Sequence, residues 1–125
     1  MNTLISDLIR QRIVDAGGEY NCNHNISKYI QDGELDQLVA EVECQLTGVL
    51  NSLVIDTAND HNTKETAHRV AKMFVHEIFS GRYQPQPKIT AFPNVTAYDQ
   101  LYVTGPITIR STCAHHMMPI VGKAY

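Results

Sequence analysis

The chain has 125 residues, of which 43% are apolar and 18% charged, and its formal net charge is −3. This length corresponds to about one domain, and the composition excludes a disordered or repetitive protein. The acidic balance argues against nucleic-acid binding, so an anionic ligand would need local positive charge. Three cysteines, an odd number, do not form a disulfide framework. Because no signal peptide and no membrane-spanning run of about 20 apolar residues is found, we expect a soluble, cytoplasmic protein without a membrane partner.

Apolar residues at helical spacing predict three helices in the first two thirds of the chain. The stripe of the first helix is Leu4, Ile5, Leu8, Ile9 and Ile13. Gly17-Gly18 is expected to end it, and a polar loop follows over 19–33. The second helix is predicted over about 34–54 and the third over about 64–79. Thr63 is the expected N-cap of the third helix, and Gly81 is the glycine expected to terminate it.

The pattern changes at Pro85, since prolines there and further on exclude helix and predict an extended or looped segment over 84–96. Alternating apolar residues then predict strands at 101–104 and 107–110, with another beginning at about Pro119. The sequence thus predicts an α+β fold in which N-terminal helices precede an antiparallel sheet. Because the chain finishes inside a predicted strand, the sheet is expected to be truncated at Tyr125. We expect an N-terminal helical region over 1–62 and a catalytic region over 63–125.

The segment that carries chemistry is Ser111-Thr-Cys-Ala-His-His116. If Cys113 and His116 lie on a turn between two strands, their sulfur and nitrogen atoms can face one point and form half of a Zn²⁺ site. His115, between them, diverges from His116 and is suited to proton transfer near neutral pH. A second pair, Cys22 and His24, is more simply interpreted as part of a solvated loop. None of the other candidate donors has a spacing that completes the site; they are Cys44, His61, His68 and His76.

Arg69 and Lys72 are the candidates for holding an anion. They are three residues apart on the polar face of the third predicted helix, so their side chains can converge. The alternative interpretation, a solvated charged face, remains open on composition alone.

Five segments, taken together, resemble GTP cyclohydrolase I enzymes over about half the chain. They occur in the family's order and at nearly its spacing, and the Cys-x-His-His box in combination with the His-Arg-x-x-Lys helix is specific. The segments are Glu65-Thr-Ala-His-Arg-Val-Ala-Lys72-Met-Phe, Glu77-Ile-Phe-Ser-Gly81, Pro87-Lys-Ile-Thr90, Tyr98-Asp99 and the Cys113 box with Pro119 and Gly122-Lys-Ala124.

The resemblance implies a T-fold (tunnelling fold), in which antiparallel strands with helices on one face join side by side into a ring. It implies a homo-oligomer, typically a decamer, with active sites between subunits. The implied reaction is the zinc-dependent hydrolysis of GTP to 7,8-dihydroneopterin triphosphate and formate, by attack of a zinc-bound water on guanine C8. This is the entry step to folate and biopterin.

The resemblance also assigns roles to individual residues. Cys113 and His116 fall on two of the family's three zinc ligands, and His115 falls on its catalytic histidine. Arg69 and Lys72 match the basic pair that reaches the substrate triphosphate, which agrees with the need for local positive charge in an acidic chain.

The sequence departs from the family at two points. Ala114 stands where the family's box usually has glutamate, so a carboxylate that could orient a neighbouring group is lost. The family's third zinc ligand, a cysteine, and its guanine-reading glutamate correspond to positions beyond residue 125. Both departures leave open a non-catalytic or regulatory T-fold subunit that co-assembles with a complete cyclohydrolase. Two further alternatives are a deazapurine-forming T-fold enzyme, which the Cys-Ala-His-His box disfavours, and a purely structural zinc module.

Overall fold

The structure is a computed structural model that describes residues 3–125 and divides into two units, Met1–Pro85 and Gln86–Tyr125. The first unit is helical and the second contains a two-stranded antiparallel sheet. The α+β class is therefore confirmed. The helices are α1 Ile5–Asp15, α2 Glu34–Ser52, α3 Thr66–Met73 and α4 Ser80–Tyr83, and the strands are β1 Ile107–Thr112 and β2 Pro119–Ala124. No helix in the described residues is long and apolar enough to span a bilayer.

The core of the helical unit lies between α1, α2 and α3. One face of α1 supplies Ile5, Ile9 and Ile13, which lie four residues apart and are all buried. This confirms the apolar stripe as the packing surface of the first helix, although Leu4 and Leu8 are more than two fifths exposed. The other members of this buried cluster are Ile26, Leu38, Val39, Ala71 and Val75.

Helices α1 and α2 end in the same backbone arrangement but with different residues at the left-handed position. After α1, Gly17 has φ +65°, and the N–H groups of Gly17 and Gly18 donate to carbonyls of the last helical turn. After α2, the left-handed residue is Val54, with φ +60° and a side chain that is 93% exposed. Its N–H donates to the carbonyl of Asn51 at 3.0 Å, and the next N–H donates to that of Leu50 at 3.1 Å. Glycine is the residue that usually occupies this position, because a β-branched side chain is strained there.

Replacing Val54 with glycine is expected to raise the free energy of unfolding by about 0.5–1 kcal/mol. Relief of left-handed strain is worth about 1–2 kcal/mol, and the greater freedom of glycine in the unfolded chain offsets part of it. The exposed side chain gives up little packing. Urea unfolding of the Val54→Gly chain measures the change. Val49→Gly, at an exposed position inside α2, is the matched control and should destabilise by about 0.5 kcal/mol, since valine is itself a weaker helix former than alanine. Equal losses for both variants would contradict the assigned strain.

The third predicted helix differs from expectation at both ends. Helix α3 begins at Thr66, because the hydroxyl of Thr63 donates to the carbonyl of Asp56 at 2.6 Å instead of capping the helix. After Met73 the chain continues through a π-helical turn, Phe74–Ile78. Gly81 does not terminate the helix: it lies inside the short helix α4. Both predicted end signals were therefore wrong, although the helical segment itself is confirmed.

An ion pair joins α1 to the beginning of α2. The guanidinium of Arg12 donates to both carboxylate oxygens of Glu34, at 2.6 and 2.7 Å, and also to the carbonyl of Tyr29. The N–H of Gln31 donates to the same carboxylate at 2.7 Å. Glu34 is only 6% exposed. The hydrogen bonds from Arg12, assisted by that from Gln31, lower the pKa of Glu34 below its ordinary value against the opposing effect of burial.

The second unit is a hairpin in which Ile107 pairs with Ala124 and Thr112 pairs with Pro119. Its side chains are exposed along most of both strands. The expected extra strand at 101–104 is wrong, since those residues are irregular and β1 begins at Ile107. Alternation alone does not make a strand without a hydrogen-bonding neighbour, and in the described residues β1 pairs only with β2.

The unit boundary after Pro85 differs from the predicted division at residue 62. Helix α3 packs extensively against α2 and shares its core, so residues 63–85 belong with the N-terminal helices. The assignment of residues 63–125 to the catalytic region, and of residues 1–62 to a separate helical region, remains a prediction.

Candidate metal and phosphate site

The connection between β1 and β2 holds the Cys113 box in a tight turn. The N–H of Cys113 donates to the carbonyl of Met118 at 2.8 Å, and the N–H of Met117 donates back to the carbonyl of Cys113 at 2.9 Å. Met117 takes a left-handed conformation, φ +54°, which reverses the chain. The expectation that these residues occupy a turn between strands is thus met.

The sulfur of Cys113 lies against the backbone of the turn. Hydrogen bonds from the N–H of His116 and, to a smaller extent, of His115 lower the pKa of the Cys113 thiol. The thiolate is the form that binds a metal ion, so this backbone favours the ligand state of the sulfur. These two donors are the main-chain N–H groups of His115 and His116, so no side-chain motif in the sequence could indicate them.

The two histidines differ in their relation to the thiol. The Nδ1 atom of His115 lies 3.9 Å from the Cys113 sulfur, whereas His116 approaches it through its backbone N–H. Both rings are exposed. The structure thus brings Cys113 and the ring of His115 together, and the assignment of His116 as the ligand and His115 as the catalytic residue remains a prediction.

Arg69 and Lys72 are exposed on α3, in the helical unit. Lys72 faces a groove of about 300 Å³ between α2 and α3. Arg69 is not part of its lining. The remaining groove residues are Asp36, Val39, Ala40, Glu43, His68 and His76. Lys72 therefore shares a groove with the carboxylates Asp36 and Glu43, and Arg69, three residues earlier on the same helix, is exposed outside that groove.

Glu43 and His68 form the closest side-chain contact in this groove, a pairing that the sequence did not predict although His68 is among its candidate donors. The Nδ1 atom of His68 lies 2.7 Å from a carboxylate oxygen of Glu43. A weaker contact joins His76 to Asp36 at 4.0 Å. The partners are 25 and 40 residues apart along the chain, so no local spacing could have indicated them.

Within the described part of the chain, the other candidate metal ligands do not gather at a second place. The ring of His24 lies 3.8 Å from Glu19, and Cys22 and Cys44 are exposed free thiols. Over residues 3–125 no three side chains of the His, Cys, Asp or Glu types are grouped as a metal site. The interpretation of Cys22 and His24 as a solvated loop is consistent with this arrangement.

The fold and the turn define a small α+β protein with a cysteine and two histidines on one hairpin. The family model for GTP cyclohydrolase I matches residues 42–125. Among curated relatives, GTP cyclohydrolase 1 of Flavobacterium johnsoniae is 33% identical over 117 residues, or 90% of this chain. That of Aliivibrio fischeri is 43% identical over 119 residues, or 94% of the chain. That of Escherichia coli is 45% identical over 80 residues, which are 63% of this chain and 36% of that protein.

The chain belongs to the GTP cyclohydrolase I family. It spans about half the length of the curated relatives it matches, 52% of the Flavobacterium protein and 51% of the Aliivibrio protein. The family match begins inside α2, so it includes part of the N-terminal helical region as well as α3 and the hairpin.

Proposed function

We propose that this chain is part of a zinc-dependent GTP cyclohydrolase I, which converts GTP and water to formate and 7,8-dihydroneopterin triphosphate. The observation that carries the proposal is the Cys113–His116 turn, where a thiol with a lowered pKa lies beside an exposed imidazole. Membership of the family supports the choice of substrate and reaction.

The donors on the turn fit a zinc ion in chemical type. Zinc prefers thiolate and imidazole ligands, and catalytic sites use three protein ligands with one open position. Cys113 and His116 would hold the metal, as family resemblance indicates, and a third ligand would come from outside the described residues. When bound, zinc supplies Lewis-acid activation of water near neutral pH.

The other site residues act on the substrate directly. His115, with its ring exposed next to Cys113, would exchange a proton with a nitrogen of the guanine imidazole ring. Arg69 and Lys72 would bind the triphosphate, because guanidinium and ammonium groups match phosphate oxygens. Arg69 and Lys72 would thus orient the substrate, and His115 would transfer the proton.

The proposal extends to the fold and assembly. The exposed apolar residues on both strands are consistent with a T-fold sheet that continues across neighbouring strands in a ring-shaped homo-oligomer, by family resemblance a decamer; examples are Ile107, Ile109, Ile120 and Val121. A cytoplasmic location is part of the same proposal. Native mass spectrometry of the full-length protein tests the assembly.

The direct test of the activity is the release of C8 of guanine as formate. The full-length protein is incubated with GTP labelled at C8, and labelled formate is measured together with the fluorescent pterin formed after oxidation. We expect equal amounts of both. Release of phosphate without formate, or no turnover, would contradict the proposal.

Replacing Arg69 or Lys72 with alanine is expected to raise the KM for GTP at least about tenfold, since each change removes a charged phosphate contact. Steady-state kinetics of the full-length variants measure the effect. Lys64→Ala, an exposed lysine just before α3, is the matched control and should leave KM unchanged. Unaltered KM in both site variants would remove these residues from the triphosphate site.

The alternative is a non-catalytic or regulatory T-fold subunit that co-assembles with a complete cyclohydrolase. Ala114, exposed on the turn where the family usually has glutamate, is the feature that favours it. It predicts co-purification with an active cyclohydrolase and no formate release by the isolated protein.

A further inference from the structure

The helical unit contains a cavity of about 180 Å³ that none of the predicted site residues lines. It lies between α1, α2, α4 and the loop that follows α1. Four aliphatic side chains, all at most 9% exposed, form its apolar surface: Ile9, Ile13, Ile26 and Leu38. The polar lining residues are Ser6, Arg10, Tyr20, Arg82 and Tyr83.

The polar part of this lining contains two guanidinium groups and, in the part of the chain that the structure describes, no carboxylate. Two carboxylates bond to it from outside: Asp7 pairs with Arg10, and Glu41 accepts hydrogen bonds from Ser6. The chain as a whole has a net charge of −3, so the cavity is a local departure from an acidic protein. Burial raises the pKa of Tyr83 against the opposing effect of the neighbouring Arg82.

The two arginines are held differently. Arg82 is fixed, because its Nη1 atom donates to the carbonyls of Asn21, Cys22 and His24 and its Nη2 atom to that of Tyr20, all within 3.0 Å. Arg10 is about half exposed, and its Nη1 atom donates to the exposed carboxylate of Asp7 at 2.5 Å. Arg82 therefore shapes the wall, whereas Arg10 holds a surface ion pair that the carboxylate of a ligand would have to share or displace.

We propose that this cavity binds a small aromatic carboxylate, with its ring on the aliphatic surface and its carboxylate at Arg10. An apolar cavity of about 150 Å³ is enough to bind benzene, so one ring fits. A carboxylate suits the planar guanidinium of Arg10, which can donate two parallel hydrogen bonds. The proposal is independent of the GTP cyclohydrolase activity, since it uses different residues.

Benzoate, benzyl alcohol and benzylamine are the probes, titrated into the full-length protein with labelled Ile and Leu methyl groups. We expect benzoate to shift the NMR signals of the four aliphatic residues with a Kd below about 1 mM. Benzyl alcohol should bind more weakly and benzylamine not at all. The Arg10→Gln variant should weaken benzoate binding about fivefold, whereas Arg110→Gln, an exposed arginine on β1, should not.

Four results would overturn this inference. Three are the absence of these methyl shifts at 10-fold the expected Kd, equal binding of benzoate and benzylamine, and equal affinity in the two arginine variants; the fourth is stronger binding of benzyl alcohol than of benzoate. Should Arg10→Gln fail to fold, the comparison of the three probes on the unchanged chain still decides between an anionic and a neutral ligand. Preferential binding of benzyl alcohol would assign the cavity to neutral ligands and contradict the proposal.

Discussion

The Glu34→Gln chain is expected to lose about 2 kcal/mol of its free energy of unfolding. The change removes the charge that pairs with Arg12 and weakens the bond from the N–H of Gln31, at a position that is 6% exposed. Breaking a buried ion pair costs about 3–5 kcal/mol. The expected loss is smaller because the side chain of Arg12 is 30% exposed and water replaces part of the interaction. Urea unfolding at neutral pH measures it.

Asp7→Asn is the matched control for this prediction. It removes a carboxylate from the ion pair with Arg10, whose side chains are both about half exposed, so no measurable change in stability is expected. Equal losses in the two variants would show that the Arg12–Glu34 pair contributes no more than a surface contact.

The pH dependence of the Glu34 effect follows from the direction of its pKa shift. Hydrogen bonding from Arg12 lowers the pKa of Glu34 in the folded chain below its ordinary value of 4.5. The carboxylate therefore stabilises the fold at pH above that value, and its contribution is lost as the pH falls through the lowered pKa. The stability difference between the original chain and Glu34→Gln should shrink below about pH 4.5.

The second large effect is expected for Cys113→Ser in the full-length protein, which should lose its bound zinc. Serine replaces the soft thiolate that zinc prefers, and the backbone N–H groups of the turn no longer hold a sulfur anion. We expect the zinc content to fall to less than about a tenth of that in the unchanged protein. Elemental analysis after gel filtration measures the ratio.

Cys22→Ser and Cys44→Ser are the matched controls, since both cysteines are exposed in the helical unit. They should retain zinc. Unchanged zinc in Cys113→Ser, with loss in either control, would move the metal site away from the hairpin turn.

The sequence predicts the parts of this fold that local pattern determines. The spacing of Ile5, Ile9 and Ile13 identifies the buried face of α1, and Gly17 identifies its end. The turn that holds Cys113 was also predictable, because alternating residues precede it and Pro119 begins the next strand. In each case the signal lies within a few residues of the structure that it predicts.

The features that depend on distant partners were not predictable in this way. Thr63 has the residue type of an N-cap, yet its hydroxyl binds the carbonyl of Asp56. Val54 occupies a position where the backbone favours glycine, so no residue signal marks that end of α2. His68 meets Glu43 only because α2 and α3 pack together. Each of these outcomes follows from tertiary contacts that local spacing does not encode.

The measurement that tests the central claim most directly is GTP turnover during zinc titration of the metal-free, full-length protein. We expect formate release to return in proportion to added zinc and to reach its maximum at about one zinc per chain. The Cys113→Ser variant should show neither zinc retention nor turnover. Formate release that is independent of zinc, or full zinc binding without any formate release, would contradict the proposed zinc-dependent cyclohydrolase.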